Sequence, residues 1–106
     1  MANRTPHERS MPMTVIVTRD VSGRIRGFLS SIMPEPAPGT YTAGDLSKAI
    51  RERIWIVLSD WHAATASGSI VMIWRDDQSP GGLGLQMLGT APRSLADLDG
   101  VLVSVW

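Results

Sequence analysis

Residues 13–29 read MTVIVTRDVSGRIRGFL, and the predicted fold is built outward from this strand and the helix start that follows it. Six apolar or β-branched residues run from Met13 to Thr18, which is typical of a short strand covered on both faces. Ser22 then stands where its hydroxyl can cap a new helix. Three arginines lie close to the end of the strand: Arg19, Arg24 and Arg26. We expect a buried strand that delivers a basic cluster to the surface, where the cluster can hold a phosphate backbone.

The composition limits the class of protein. A chain of 106 residues with 43% hydrophobic and 19% charged residues fits one soluble globular domain. The absence of cysteine excludes disulfides, zinc–thiolate sites and a cysteine nucleophile. No apolar stretch approaches the ~18 residues of a membrane span, and the polar N-terminus has no signal-peptide core. We therefore expect a cytoplasmic protein without a membrane partner.

The charges are unevenly distributed although the net charge is zero. Residues 1–53 carry eight basic and five acidic side chains, whereas residues 54–106 carry two basic and five acidic ones. This asymmetry permits a basic face on a neutral molecule. Ordinary solvated surface charge is the alternative interpretation.

Two amphipathic helices are predicted from apolar residues at helical spacing. The first runs from about Gly23 to Met33, and its stripe consists of Ile25, Phe28, Leu29, Ile32 and Met33. The second runs from about Ser47 to His62, is capped by Asp45 or Ser47, and has the stripe Ile50, Ile54, Val57, Leu58 and Trp61. Lys48, Arg51 and Glu52 are expected to point away from this second stripe.

Four further strands are expected at 40–42, 69–74, 83–88 and 101–106, because these runs are apolar and bounded by turn-forming residues. The order β-α-β-α-β-β-β predicts an α+β fold, a ferredoxin-like two-layer sandwich spanning residues 13–106. Residues 1–12 are predicted to be a flexible tail. An apolar last strand left open invites pairing with another chain, so we expect a homodimer formed through sheet edges.

A series of short motifs along the chain resembles one known family. The motifs are Thr18-x-x-Val21, Arg24-x-Arg26-Gly27, Gly39-x-Tyr41, Gly44-Asp45-x-Ser47, Ile50-Arg51-Glu52-x-Ile54-Trp55, Gly68-x-x-Val71-Met72-x-Trp74, Gln86-x-x-Gly89 and Asp97-Leu98-Asp99-Gly100. In this order, over residues 13–106, they resemble the CRISPR-associated protein two family (Cas two), in the branch found in type I-E systems.

The resemblance implies a ferredoxin-like homodimer that works in antiviral defence. Two dimers of the Cas one integrase would grip its ends, and the assembly would capture foreign DNA and insert it into the CRISPR array as a spacer. In that complex a Cas two protein is a structural DNA-binding subunit that bridges the integrase dimers and holds the protospacer duplex by its backbone. No cofactor is required for that role.

The family's backbone-binding arginines fall on Arg24 and Arg26, and of a second arginine pair only Arg93 is retained here, beside Pro92. Arg19 is a weaker candidate for the same role. The acid that ends the first strand in this branch would fall on Arg19, whereas in this chain the acid comes one residue later, at Asp20. Trp55 and Trp106 are expected at interfaces, whereas Trp61 and Trp74 are expected in the core.

The alternative function is a metal-dependent endonuclease, acting on RNA or DNA, as reported for relatives outside this branch. Asp20 would then be both the catalytic residue and the metal ligand, and two copies of it across a dimer axis would hold Mg²⁺. In a purely structural interpretation, Asp20 forms an ion pair with a nearby arginine or contributes to the helix cap. A generic ferredoxin-like dimer that binds only protein is a third interpretation.

Overall fold

The structure is a computed structural model that describes residues 12–89 and 94–105. Its main sheet has four antiparallel strands in the order β2-β1-β3-β4. The strands are β1 (Thr14–Arg19), β2 (Thr40–Ala43), β3 (Ser69–Arg75) and β4 (Leu83–Leu88). The apolar run that begins at Met13 therefore forms β1, a central strand of the sheet. The C-terminal end of β1 leads into the first helix.

Two helices, α1 (Gly23–Ile32) and α2 (Lys48–Thr65), pack on one face of this sheet. The core between the layers holds Ile16 and Met72 from the central strands, Ile25 and Leu29 from α1, and Leu58 from α2, all fully buried. Both helices begin at a serine whose Oγ accepts a backbone N–H three residues later, Ser22 for α1 and Ser47 for α2. This α+β arrangement is compatible with a ferredoxin-like fold.

The other face of the main sheet is apolar and carries no helix among the described residues. Its side chains alternate with the core residues along β1, β3 and β4, as strand geometry requires. Val15, Val71, Ile73 and Leu85 are half-buried, and Met13, Val17, Leu83 and Met87 are 54, 40, 39 and 40% exposed. We call these eight residues the open face. The expectation that β1 is covered on both faces is therefore wrong for a single chain.

A separate two-stranded sheet follows, formed by β5 (Ser94–Leu98) and β6 (Val101–Val105). Its turn is Asp99-Gly100, with φ of 53° and 83°, and Leu98 pairs with Val101 across it. The hairpin meets the main sheet at the 3₁₀ turn Pro80–Gly82, where a Cβ on Gly81 would lie 2.7 Å from the Leu102 Cβ. Leu95, Leu98, Val101 and Val105 stay exposed.

The observed order is therefore β-α-β-α-β-β-β-β, one strand more than the sequence led us to expect. The strand that was not predicted is β5. It pairs with β6 in the second sheet, so β6 is not an edge strand of the main sheet. Residues 1–11 of the predicted tail lie outside the described residues, whereas the Pro12 carbonyl accepts a hydrogen bond from Leu46 N at 3.1 Å. Neither α1 nor α2 is long and apolar enough to cross a membrane.

The loop between β3 and β4 is built around Asp76. Its carboxylate accepts from Ser79 Oγ at 2.7 Å and from Gln78 N at 3.0 Å, and its own N–H donates to the Gly82 carbonyl at 2.9 Å. The hydrogen bond from Ser79 is the main reason that the pKa of Asp76 lies below its ordinary value, and the bond from Gln78 adds to it.

Because the folded state lowers the pKa of Asp76, this carboxylate stabilises the fold above its unfolded pKa, and the contribution is lost as the pH falls through the folded value. We expect Asp76→Ala to have a lower melting temperature than the wild type at neutral pH. Well below pH 3.8 the melting temperatures of the two proteins should converge. Asp77→Ala is the control, because its ion pair with Arg75 is exposed and contributes little. A difference that persists unchanged in strong acid would contradict this role.

Candidate nucleic-acid interface

The C-terminal end of β1 is fixed from both sides. The backbone N–H and the Oγ1 hydroxyl of Thr18 both donate to the Gly39 carbonyl, at 2.7 and 3.0 Å. Arg19 pairs with Ser69 in the register of β1 and β3, and Asp20 then turns the chain with a left-handed φ of 55°. This end of the strand is thus a rigid base for the turn that leads into α1.

Gly68 lies directly against this turn. Its φ is +76°, and a Cβ built on it would lie 2.4 Å from the carbonyl oxygens of both Arg19 and Asp20. His62 Nε2, near the end of α2, lies 3.0 Å from the Gly68 carbonyl and holds that backbone in place. A surface cavity of about 210 Å³ is lined by Arg19, Asp20, Gly68 and Ser69. Only glycine allows the two segments to approach this closely.

The N-terminal turn of α1 presents positive charge to solvent. Ser22 Oγ accepts from Ile25 N at 3.3 Å, and the first turn contains no acidic residue. Arg24 and Arg26 follow on the same turn, and both are exposed. Free amides and the helix dipole favour an anion at this end, and the two guanidiniums add to that preference.

Arg24 is stacked on an aromatic ring of the second helix. Its guanidinium carbon lies 3.9 Å from the centroid of the Trp61 ring. Phe28, one turn further along α1, meets the same ring edge to face, with centroids 5.3 Å apart and planes at 71°. The sequence predicted Trp61 as a core residue and gave no signal for the stack, which depends on how α1 and α2 pack.

The arginines of the turn are not held in ion pairs within residues 12–89 and 94–105. Two ion pairs occur there, Lys48–Glu52 at 3.9 Å and Arg75–Asp77 at 3.0 Å, and both are exposed. Neither includes Arg19, Arg24 or Arg26, so no described carboxylate neutralises these guanidiniums at short range. Arg24 and Arg26 are therefore exposed together on the first turn of α1, and the phosphate-binding role of these arginines and of Arg19 stays a prediction.

Arg51 differs from the sequence-based expectation. It was expected to point away from the apolar stripe, but it is only 8% exposed and stacks on Trp74, with 4.2 Å between its guanidinium carbon and the ring centroid. Burial lowers the pKa of Arg51, and the charges of Glu52 and Asp76 partly oppose that effect. The long alkyl stem of Arg51 lets this residue cover apolar surface. Helical periodicity treats arginine only as a charged residue and therefore does not predict such burial.

Asp20 is exposed beside the cavity, at the position predicted for a metal ligand. Across the described ranges, no three or more histidine, cysteine, aspartate or glutamate residues are grouped closely enough to hold a metal ion. A single carboxylate per chain leaves the metal role of Asp20 dependent on a second copy, so that role stays a prediction.

Three further residues were predicted to bind DNA or a partner protein: Arg93, Trp55 and Trp106. Arg93 and Trp106 lie outside the described residues. Trp55 is half-buried and packs against the core cluster, so part of its ring is unavailable to a partner. Its interface role therefore stays a prediction.

Comparison with known families gives one match to a family model. Residues 13–103 match the family described as "CRISPR-associated protein (Cas_Cas2CT1978)". The match runs from the first strand into β6 and includes the whole β1–α1 turn with Arg19, Asp20, Arg24 and Arg26.

Proposed function

The chain belongs to the CRISPR-associated Cas two family and hence to the proteins of CRISPR adaptation, and on this premise we propose that it is a structural DNA-binding subunit of the spacer-acquisition complex. In this proposal it is of the type I-E branch, bridges Cas one integrase dimers and holds the protospacer duplex by its backbone. The observation that carries the proposal is the pair Arg24 and Arg26, exposed at the start of α1 without an ion-pair partner among the described residues.

Phosphate binding follows from the chemistry of this turn. Guanidinium groups make charge-assisted hydrogen bonds to phosphate oxygens, often through two N–H donors at once. Such contacts supply affinity and position the protein, but they do not read the base sequence. That property suits a subunit that must accept foreign DNA of any sequence. Arg19 is exposed at the end of β1, where strand alternation puts it on the same face as Val17, and in this proposal it is a weaker phosphate contact.

The open face supports the proposed homodimer. Its eight residues form a continuous apolar surface on the sheet side opposite the helices, and contiguous apolar surface of this kind marks an interaction site. A second copy would cover it by the two-fold symmetry that most homodimers use. We therefore place the proposed dimer contact on the open face, not on the sheet edges that the sequence suggested.

The β5–β6 hairpin is our proposed contact with the Cas one integrase. An isolated two-stranded hairpin is marginally stable, and this one leaves Leu95, Leu98, Val101 and Val105 exposed. Packing against a partner would bury those side chains and stabilise the hairpin. The resemblance to Cas two proteins, whose C-terminal segment contacts Cas one, points to the same partner.

The proposal is tested by loading the dimer and its Cas one partner with a protospacer duplex. We expect Arg24→Ala with Arg26→Ala to reduce duplex capture and integration at least tenfold, because each charge-assisted contact contributes about 1.5–3 kcal/mol. Binding of the integrase should be retained. Arg53→Ala is the matched control, since Arg53 is an exposed arginine on α2, away from the turn. Normal capture by the double variant would refute the proposal.

The nuclease alternative is tested with the same preparation. Wild-type protein and Asp20→Asn are incubated with RNA and with DNA in the presence of Mg²⁺ or Mn²⁺. Cleavage by the wild type that disappears in Asp20→Asn would assign catalysis to this carboxylate. Cleavage that survives the substitution is contamination.

A further inference from the structure

We infer that Trp61 is a positioning residue for DNA binding: its ring holds the Arg24 guanidinium at the surface, with the guanidinium's N–H groups available to a phosphate. The inference rests on the proposed function and deepens it. Trp61 is not part of the motifs that carry the resemblance, and its role is inferred from the packing of this chain.

The contact itself supplies the first argument. A separation of 3.9 Å between the guanidinium carbon and the ring centroid is close van der Waals contact and lies well within the range of cation–π attraction. The ring attracts the cation through its π face and accepts no conventional hydrogen bond in doing so. The stack therefore uses none of the five N–H donors of Arg24, and no acceptor in the described part of the chain bonds to them.

The ring is held in place from a second direction. Trp61 lies near the C-terminal end of α2, and it contacts two successive turns of α1, at Arg24 and at Phe28. Residues four apart lie on the same side of a helix, so Arg24 and Phe28 meet the indole together. Phe28 packs edge to face on the ring and restricts its rotation. Arg24 thus rests on a ring that is already fixed, and it loses less conformational freedom when it binds a phosphate.

A second arginine–tryptophan stack in the same chain shows the difference in role. The guanidinium carbon of Arg51 lies 4.2 Å from the centroid of the Trp74 ring, but Arg51 as a residue is only 8% exposed and serves the packing of α2 on the sheet. Arg24 makes a similar contact while remaining exposed. The same stacking geometry therefore fixes one arginine inside the fold and presents the other at the surface. Arg26, by contrast, has no aromatic partner in the described part of the chain.

The test is a double-mutant cycle on duplex binding by the full chain. Trp61→Leu and Trp61→Phe are each made in the wild type, in Arg24→Ala and in Arg26→Ala, and Kd is measured at one low salt concentration. We expect Trp61→Leu to raise Kd roughly threefold to tenfold in the wild type. It should raise Kd by the same factor in Arg26→Ala and leave Kd unchanged in Arg24→Ala. Trp61→Phe should cause a smaller loss with the same pattern.

The pattern separates positioning from a purely structural role. A Trp61 substitution that weakens binding equally in the Arg24→Ala and Arg26→Ala backgrounds would overturn the inference, because it would act without Arg24. An unchanged Kd in the wild-type background would overturn it as well. If Arg24→Ala itself leaves Kd unchanged, the proposed function fails along with the inference. Trp61→Phe keeps most of the apolar volume and carries the test if Trp61→Leu does not fold.

Discussion

Replacing Gly68 with alanine is expected to lower the melting temperature by roughly 10–20 °C. The added Cβ would lie 2.4 Å from two carbonyl oxygens, those of Arg19 and Asp20. Neither side can move freely, because β1 and β3 are in register at Arg19 and Ser69 and the Gly68 carbonyl lies 3.0 Å from His62 Nε2. The φ of +76° adds a backbone penalty of about 1 kcal/mol or more for any residue with a Cβ.

Gly27→Ala is the matched control for this prediction. Gly27 is exposed in α1, and a Cβ at this position would meet nothing within 4 Å. Alanine there should raise the stability by up to about 1 kcal/mol, because glycine is a poor residue for a helix interior. Thermal unfolding followed by circular dichroism measures both variants. A Gly68→Ala protein that melts within a few degrees of the wild type would show that the turn at Asp20 is not a rigid base for the site.

Val17→Lys is expected to weaken the proposed dimer by at least about 100-fold. Val17 is 40% exposed on the β1 side of the open face and pairs with Val71 on the neighbouring strand. In a two-fold interface each substitution is present twice, and burying an unpaired ammonium costs several kcal/mol. In the monomer the lysine reaches solvent, so folding should be little affected.

The measurement is the molar mass in solution as a function of protein concentration. Ile56→Lys is the control, because Ile56 is a 61% exposed apolar residue on α2, in the other layer. We expect this control to remain dimeric, whereas Val17→Lys should be monomeric at the same concentration. A dimer that survives Val17→Lys would move the interface away from the open face. A wild type that is monomeric at all concentrations would contradict the proposed homodimer.

The elements that the sequence predicted well are those set by local chemistry. Ser22 and Ser47 cap their helices as expected, since the hydroxyl acts on an amide only three residues away. The strand at 83–88 was predicted at its observed bounds, because glycine-rich turns delimit it. The end of β1 and the start of α1 also follow directly from residues 13–29.

The strand β5 was missed although a signal for it was present. No strand was expected between residues 89 and 100, whereas residues 94–98 form β5 and only Asp99 and Gly100 after it adopt positive φ. An Asp-Gly pair flanked by apolar residues favours a two-residue hairpin, and Leu98 and Val101 do pair across it. The Asp-Gly pair therefore predicts a strand on each side of it.

Other features depend on tertiary packing and have no local signature. The continuous apolar run in β1 is the same whether a helix layer or a second copy covers its other side, so the sequence alone could not identify the open face. The stacks of Arg24 on Trp61 and Arg51 on Trp74 join residues far apart along the chain. Their existence follows from how α1, α2 and β3 pack, which side-chain periodicity does not specify.

If Arg24 and Arg26 bind duplex phosphates, the salt dependence of duplex binding reports the number of those contacts. Each phosphate contact contributes about 0.9 to the slope of log K against log salt concentration. With two arginines in each of two protomers, the slope of the Arg24→Ala, Arg26→Ala dimer should be shallower than that of the wild type by about 3–4. The Arg53→Ala control should keep the wild-type slope. An Arg24→Ala, Arg26→Ala dimer with an unchanged slope would contradict the account.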